Sequence, residues 1–391
     1  MTFVSKCMFG AVLLAAACGD PDAAPKQCDV SNHACTWLGM PGQTSFNGDG
    51  HDKLETQIYW SMDTLFAQDG TVYFIDWNNH LVRHVLPDNT VKTVLGWNDP
   101  IFPGDGDDMA PMAELTTGAP GTDVQLNHPT DLAQLADGTI VVMAWHNHKL
   151  RVIDPATGLV KILAGGNAGF AGDGNPLSST TLLKQPSRMA FDENANMFIV
   201  DAQNQRIRRV DNATRVITSI AGNGTKGFSG DDGPAAACQL SFAIGSNPEP
   251  QGGIAYKDGQ LYVADTDNNR IRKIDLATMM ITTIAGSGHG GFTSDDVPAK
   301  TSDLFHPRDM EIGPDGNLYI ADTDNGRIRK IDLATNMITT VVGTGVNALD
   351  DDDDRLATET ALNRPFGLDF DPAGNLFVSD TLNSRILKVT K

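Results

Sequence analysis

Tyr73-Phe74-Ile75-Asp76-Trp77-Asn78-Asn79 sets out a pattern that runs the length of the chain: a hydrophobic strand, an aspartate, a three-residue step to asparagine, then a basic-apolar strand. It returns as Met197-Phe198-Ile199-Val200-Asp201 with Asn204, as Leu261-Tyr262-Val263-Ala264-Asp265 with Asn268, and as Leu318-Tyr319-Ile320-Ala321-Asp322 with Asn325. Leu376-Phe377-Val378-Ser379-Asp380 with Asn383 is the last copy. A degenerate copy has Ala144 in place of the aspartate and keeps Asn147. Successive copies start 57 to 68 residues apart. A period of this length means a series of similar small sheets.

Within the fifth copy four strand signals succeed one another: residues 309–312, 318–321, 327–331 and 337–342. Pro314-Asp315-Gly316-Asn317 makes the first turn and residues 332–336 the last. Four-stranded antiparallel sheets repeated radially are propeller blades, which leave only short, protected edges. The expected fold is all-β, a six-bladed β-propeller of four-stranded antiparallel blades. The last copy stops at Val389, one strand short. Near the start, Ala34-Cys35-Thr36-Trp37-Leu38-Gly39 parallels Ile281-Thr282-Thr283-Ile284-Ala285-Gly286. The N-terminal strand is expected to complete the sixth blade and close the ring, giving a propeller over residues 34–391.

The chain has 391 residues and a net charge of −20, which argues against nucleic acid, since phosphate binding needs clustered Lys and Arg. Lys6 precedes an apolar run from Cys7 to Ala17 that is too short to span a bilayer and reads as a signal peptide over residues 1–17. Leu14-Ala15-Ala16-Ala17-Cys18 resembles a bacterial lipobox, in which Cys18 is lipidated. Ala15 stands where a large apolar residue is usual, and the same run suits ordinary cleavage and secretion. Residues 18–33 then read as the lipidated cysteine and its tether, and the chain as an extracytoplasmic, cell-envelope protein held to the membrane by its lipid alone. Export implies an oxidising compartment, where Cys28 and Cys35 are expected to pair. Cys238 is left over and reads as a small buried apolar residue.

The literal Asn79-His80-Leu81 triplet and the stretch from Asp322 to Lys330 resemble the NHL-repeat family, over about residues 36–391. Phe228-Ser229-Gly230-Asp231-Asp232-Gly233-Pro234-Ala235 is similar to its bacterial subgroup. The resemblance implies the propeller but no single activity, because the family includes sensors, interaction scaffolds and a few lyases.

The recurring aspartates and asparagines read as structural: aspartate can accept backbone N–H bonds in the turn, and asparagine tolerates left-handed geometry. Arg270, Arg327 and Arg385 are expected to reach those carboxylates. The recurring Phe and Gly-Asp loops, such as Phe170-Ala171-Gly172-Asp173-Gly174, link one blade to the next. In the sixth copy the loop has become Asp350, Asp351, Asp352, Asp353 and Asp354, a possible calcium cluster, although an acidic run is more often a solvated face. No other cofactor is expected.

Residues starting each inner strand line a propeller's channel mouth. Counting back eight residues from the next turn gives Trp60, His128, Gln185, Glu249, His306 and Arg364. Zinc lyases of similar fold hold the metal with three histidines at the channel, a set this ring does not assemble. An acid–base pair of His306 and Glu249 remains as the alternative, making the protein a propeller enzyme, a lyase or hydrolase. The preferred reading is a binding scaffold for a protein, peptide or glycan at the mouth over blades 1 and 2. Four of five tryptophans fall there, with Trp60, Trp77, Trp97 and Trp145 as apolar anchors and His128, His146 and His148 as polar contacts. The plainer alternative is that Trp77 and Trp145 simply pack between blades. On the anchor reading, replacing Trp77 and Trp145 together abolishes capture and leaves the melting temperature intact.

Overall fold

A computed structural model describes residues 28–97, 116–245, 249–350 and 354–391. Cys18 and the expected signal peptide lie outside the described residues, as do Asp351, Asp352 and Asp353. No helix among the described residues is long and apolar enough to cross a membrane. The strands form six antiparallel sheets, one per repeat. Blade 1 comprises Ser61–Phe66, Val72–Asp76, Leu81–Val85 and Val91–Leu95, from the inside outwards. Blade 5 comprises Pro307–Ile312, Leu318–Asp322, Arg327–Asp332 and Met337–Val342, as the spacing predicts. The other inner strands are Pro129–Gln134, Pro186–Phe191, Ile254–Lys257 and Gly367–Phe370. Each inner strand packs beside the next, and the sixth returns to the first.

The second strand of each blade is covered on both faces by neighbouring blades. Tyr73, Phe74, Ile75 and Asp76 are all buried. This explains why the repeat reads as a continuous apolar run and not as alternation. The ring closes through His33–Leu38, which pairs antiparallel with Arg385–Val389, Ala34 opposite Val389 and Thr36 opposite Leu387. Cys28 and Cys35 are disulfide-bonded, and the Thr390 hydroxyl donates to the Cys28 carbonyl at 2.7 Å. Cys238 is buried and free. The loops between blades also protect edges: Gly233–Pro234, Val297–Pro298 and Arg355–Leu356 each pair with the outermost strand of the blade that they lead into.

Candidate functional site

Five blades carry the same buried unit. In blade 4 the Asp265 carboxylate accepts the Ser241 N–H at 2.7 Å, the Asn268 amide at 2.9 Å and Arg272 Nη1 at 3.0 Å. Asp76, Asp201, Asp322 and Asp380 accept a backbone N–H in the same way, from Tyr59, Lys184, Phe305 and Asn363. Burial raises the carboxyls of Asp201, Asp265 and Asp322 to about 6 against the opposing pull of these donors. The arginine sits seven residues after the aspartate: Arg83, Arg208, Arg272 and Arg329, all fully buried. Each also meets the aspartate of a Gly-Asp loop, namely Asp49, Asp173, Asp231 and Asp295. These loop carboxylates are thereby arginine partners.

Arg270 and Arg327 therefore do not bind the motif carboxylates, as the spacing suggested. They lie over the exposed rings of Phe228 and Phe292, at 3.9 and 3.8 Å from the ring centres. Arg385 does reach Asp380, at 2.7 Å, because Leu387 stands where the other blades have their buried arginine. In blade 2, where the aspartate is Ala144, Asn147 Oδ1 takes its place and accepts the Asn127 N–H at 2.8 Å.

The mouth is built above these units. Trp60, His128, Gln185, His306 and Arg364 all have positive φ, between 47° and 68°. The residue after each motif asparagine is also left-handed, and in blades 1 to 4 its side chain ties adjacent blades; in blade 5 it is Gly326. His80 Nδ1 accepts the His128 N–H at 3.0 Å, and His148 Nδ1 accepts the Gln185 N–H at 3.0 Å. Gln205 and Asn269 do the same for Phe242 and His306. His148 is thus a tie between blades 2 and 3, and its N–H donates to the Trp145 carbonyl at 3.1 Å. Phe242, not Glu249, occupies the position equivalent to His306. Blade 4 carries an insertion between Phe242 and Gln251, which the count from the turn could not detect.

Over blades 1 and 2 the structure brings Trp60, Trp77, Trp145, His128 and His146 together. Trp77 stacks on Trp60 at 5.8 Å and lies 4.4 Å from His128 and 6.1 Å from Trp145. Trp77 and Trp145 are only 5% and 1% exposed and belong to the core between the two blades. They replace Thr266, Thr323 and Thr381 of blades 4 to 6, whose hydroxyls donate to the next inner strand. Replacing both would empty the core, so the melting temperature cannot stay intact. Trp60 is partly buried and Trp97 is 47% exposed. His128 Nε2 meets Asn78 Oδ1 at 3.0 Å and its Nδ1 meets His146 Nδ1 at 3.0 Å. Burial, then His80 and His146, push the His128 pKa down to about 2, so it is a neutral imidazole.

Across the mouth, blades 4 to 6 present charge. Glu249 binds Arg364 through both oxygens at 2.7 Å and Arg308 at 2.5 Å. Burial raises the Glu249 carboxyl, but the two arginines more than offset this and hold it below the usual value. His306 Nδ1 is 2.5 Å from Asp324, which also takes Arg364 Nε at 2.7 Å. His306 and Glu249 thus face different partners and do not pair with each other. Asp350 is bound by Arg355 at 3.0 Å and Asp354 by His33 at 3.0 Å. Among the described residues no group of three or more His, Cys, Asp or Glu side chains is arranged to hold a metal ion.

Below the mouth, Arg188 from blade 3 plugs the channel, an arrangement sequence reasoning missed. Its guanidinium lies 3.2 Å from Asp131, 3.4 Å from Asp309 and 3.8 Å from Asp63, and it donates to the carbonyls of Thr130, Met62 and Phe366. The equivalent positions of blades 4 and 6 are Gly253 and Gly367. A Cβ there would come within 2.7 Å of the Asp309 backbone or 2.0 Å of the Met62 carbonyl. A cavity of about 280 Å³ continues on the far side, lined also by Glu311 and Asp369.

The sequence profile of the Teneurin NHL domain matches residues 38–275, more than half the chain. The chain is similar to Protein SUPPRESSOR OF QUENCHING 1 of Arabidopsis thaliana, 26% identical over 277 residues, covering 68% of this chain and 24% of that protein. It is similar to NHL repeat-containing protein 2 of Homo sapiens, 24% identical over 340 residues, covering 80% of this chain and 45% of that protein. The chain thus spans less than half the length of these relatives. An auxiliary nutrient binding protein of Bacteroides ovatus shares the fold, with a TM-score of 0.62 over 91% of this chain and 76% of that one at 14% identity. With a ring of six blades, five of them hung on Asp–Asn turns, and a profile match across most of its first four, the chain belongs to the family of the Teneurin NHL domain and so to the NHL-repeat propellers.

Proposed function

We propose that this protein is an exported, lipid-anchored propeller that works as a binding scaffold in the bacterial cell envelope, taking a protein, peptide or glycan at the channel mouth over blades 1 and 2. One observation carries the reading. The ties beneath the mouth recur in blades 1 to 4, whereas the side chains facing outward differ, and blades 1 and 2 gather three tryptophans and two imidazoles where blade 5 has the single Phe305–His306 pair. Trp60 rests on the buried Trp77, beside Asn78, His128 and His146. An aromatic ring held rigidly from below, with polar groups at its rim, suits the apolar face of a sugar or an aromatic peptide side chain. Trp77 and Trp145 are the foundation of this surface, and Trp60 and Trp97 its contacts.

One experiment tests both anchor and face. The whole chain, expressed in a bacterium, should fractionate with membranes, and Cys18→Ser should release it. The released protein is then screened on glycan and peptide arrays against its Trp60→Ala/Trp97→Ala variant. Hits should vanish in the variant while its melting temperature holds. Hits that persist would place binding elsewhere, and a Cys18→Ser chain that stays with the membrane would remove the lipid anchor.

A further inference from the structure

The charged side of the mouth has an odd construction. Arg308, at 4% side-chain exposure, is the only arginine at its position in the six inner strands; the others have Met62, Thr130, Ser187, Gly252 and Phe366. It stacks on the Phe366 ring at 4.6 Å, with Arg364 over the same ring at 5.5 Å. Two guanidiniums held this close repel each other, and burial, with Arg364 as the repelling neighbour, lowers the Arg308 pKa despite Glu249. Their common counter-ion does not come from the repeat. It is Glu249, borne on the insertion particular to blade 4, with its side chain 45% exposed. Asp324 engages Arg364 only through Nε, leaving the two terminal nitrogens of Arg364 and Nη2 of Arg308 aimed at one carboxylate. Three charge-assisted donors converging on two oxygens is the geometry of carboxylate recognition.

We propose that Arg308 and Arg364 form an anion subsite for the carboxylate of a ligand, and that Glu249 fills it as an internal stand-in. This lies across the mouth from the aromatic face and does not depend on it. A ligand bearing an acid group, such as a uronic sugar or a peptide C-terminus, would take the place of Glu249 by making the same three hydrogen bonds. The chain's net charge of −20 opposes the approach of any anion, so selectivity must come from this short-range fork and not from long-range attraction.

Acetate is the probe. Glu249→Ala should melt below the parent in sodium chloride, because Arg308 and Arg364 lose the carboxylate that they share. In sodium acetate at equal ionic strength it should regain at least half of that loss. The parent should melt alike in both salts, and Glu249→Ala/Arg364→Gln should gain nothing from acetate. Coincident melts of Glu249→Ala in acetate and chloride would overturn the subsite, as would equal recovery in the double variant. Should the alanine variant not fold, Glu249→Gln replaces it, with the same requirement of a higher melt in acetate than in chloride.

Discussion

Arg272 lies wholly inside blade 4, with Asp265 at 3.0 Å and Asp231 at 2.9 Å. Removing it strands the buried carboxylate of Asp265, so Arg272→Ala should destabilise by about 3–5 kcal/mol. Arg270, two residues earlier, covers the exposed ring of Phe228 and hydrogen-bonds two carbonyls. Its replacement by alanine should cost only ~1 kcal/mol. Denaturant unfolding of the two variants orders them, and a larger loss for Arg270→Ala would refute the assignment. The sequence made the motif aspartate recognisable as structural but pointed to Arg270, the nearer arginine. Side chains on an extended strand alternate between faces, so Arg270 and Arg272 face the same way, and only packing decides which one reaches inward. The same limit applies to the tryptophans. Their clustering over blades 1 and 2 is legible, whereas the division into buried Trp77 and Trp145 and exposed Trp97 depends on depth, which composition does not encode.

At the scale of the element, the ring is shut by one strand from the other end of the chain. His33–Leu38 supplies the outermost strand of blade 6, and its loss would expose the Arg385–Val389 edge and open the core around Ala34, Leu368 and Val378. Deleting residues 28–38 should lower the melting temperature far more than deleting residues 20–26, a segment outside the described residues. Equal effects in calorimetry would mean that closure contributes little. This topology is legible because a missing strand at one end and a spare one at the other are both visible in the repeat. The blade 4 insertion is not. Its inner strand, Ile254–Lys257, begins after a detour, and the turn fixes a register only for residues on its own side of that detour. Glu249 thus falls at the mouth for a reason other than the one its spacing suggests: it is carried there by the inserted loop.

At the scale of the whole molecule, Arg188 joins blade 3 to the carboxylates of blades 1, 2 and 5 and to carbonyls of blades 1, 2 and 6. Five acids face this channel: Asp63 from blade 1, Asp131 from blade 2, Asp309 and Glu311 from blade 5, and Asp369 from blade 6; blades 3 and 4 add Arg188, Met189, Ala190, Phe191, Ile254, Ala255 and Tyr256 to the same lining, with no acid among them. One guanidinium cannot neutralise five carboxylates, so burial raises them all and neighbouring carboxylates push Asp63, Asp131, Glu311 and Asp369 up further, Asp63 to about 7 and Glu311 to about 8. An unfolded chain releases the Glu311 proton near its ordinary 4.5, and the folded ring holds it to about 8. Between those values the native state binds the extra proton, so stability falls as pH rises. Asp63 acts in the same direction between 3.8 and about 7. The melting temperature should therefore decline from pH 5 to pH 9. Glu311→Gln, which mimics the protonated acid, should leave the melt at pH 5 nearly unchanged and raise it at pH 8.5, flattening the profile. A gain of equal size at both pH values would show that packing around Glu311, and not its charge, sets the effect, and the channel would lose its part in the pH response.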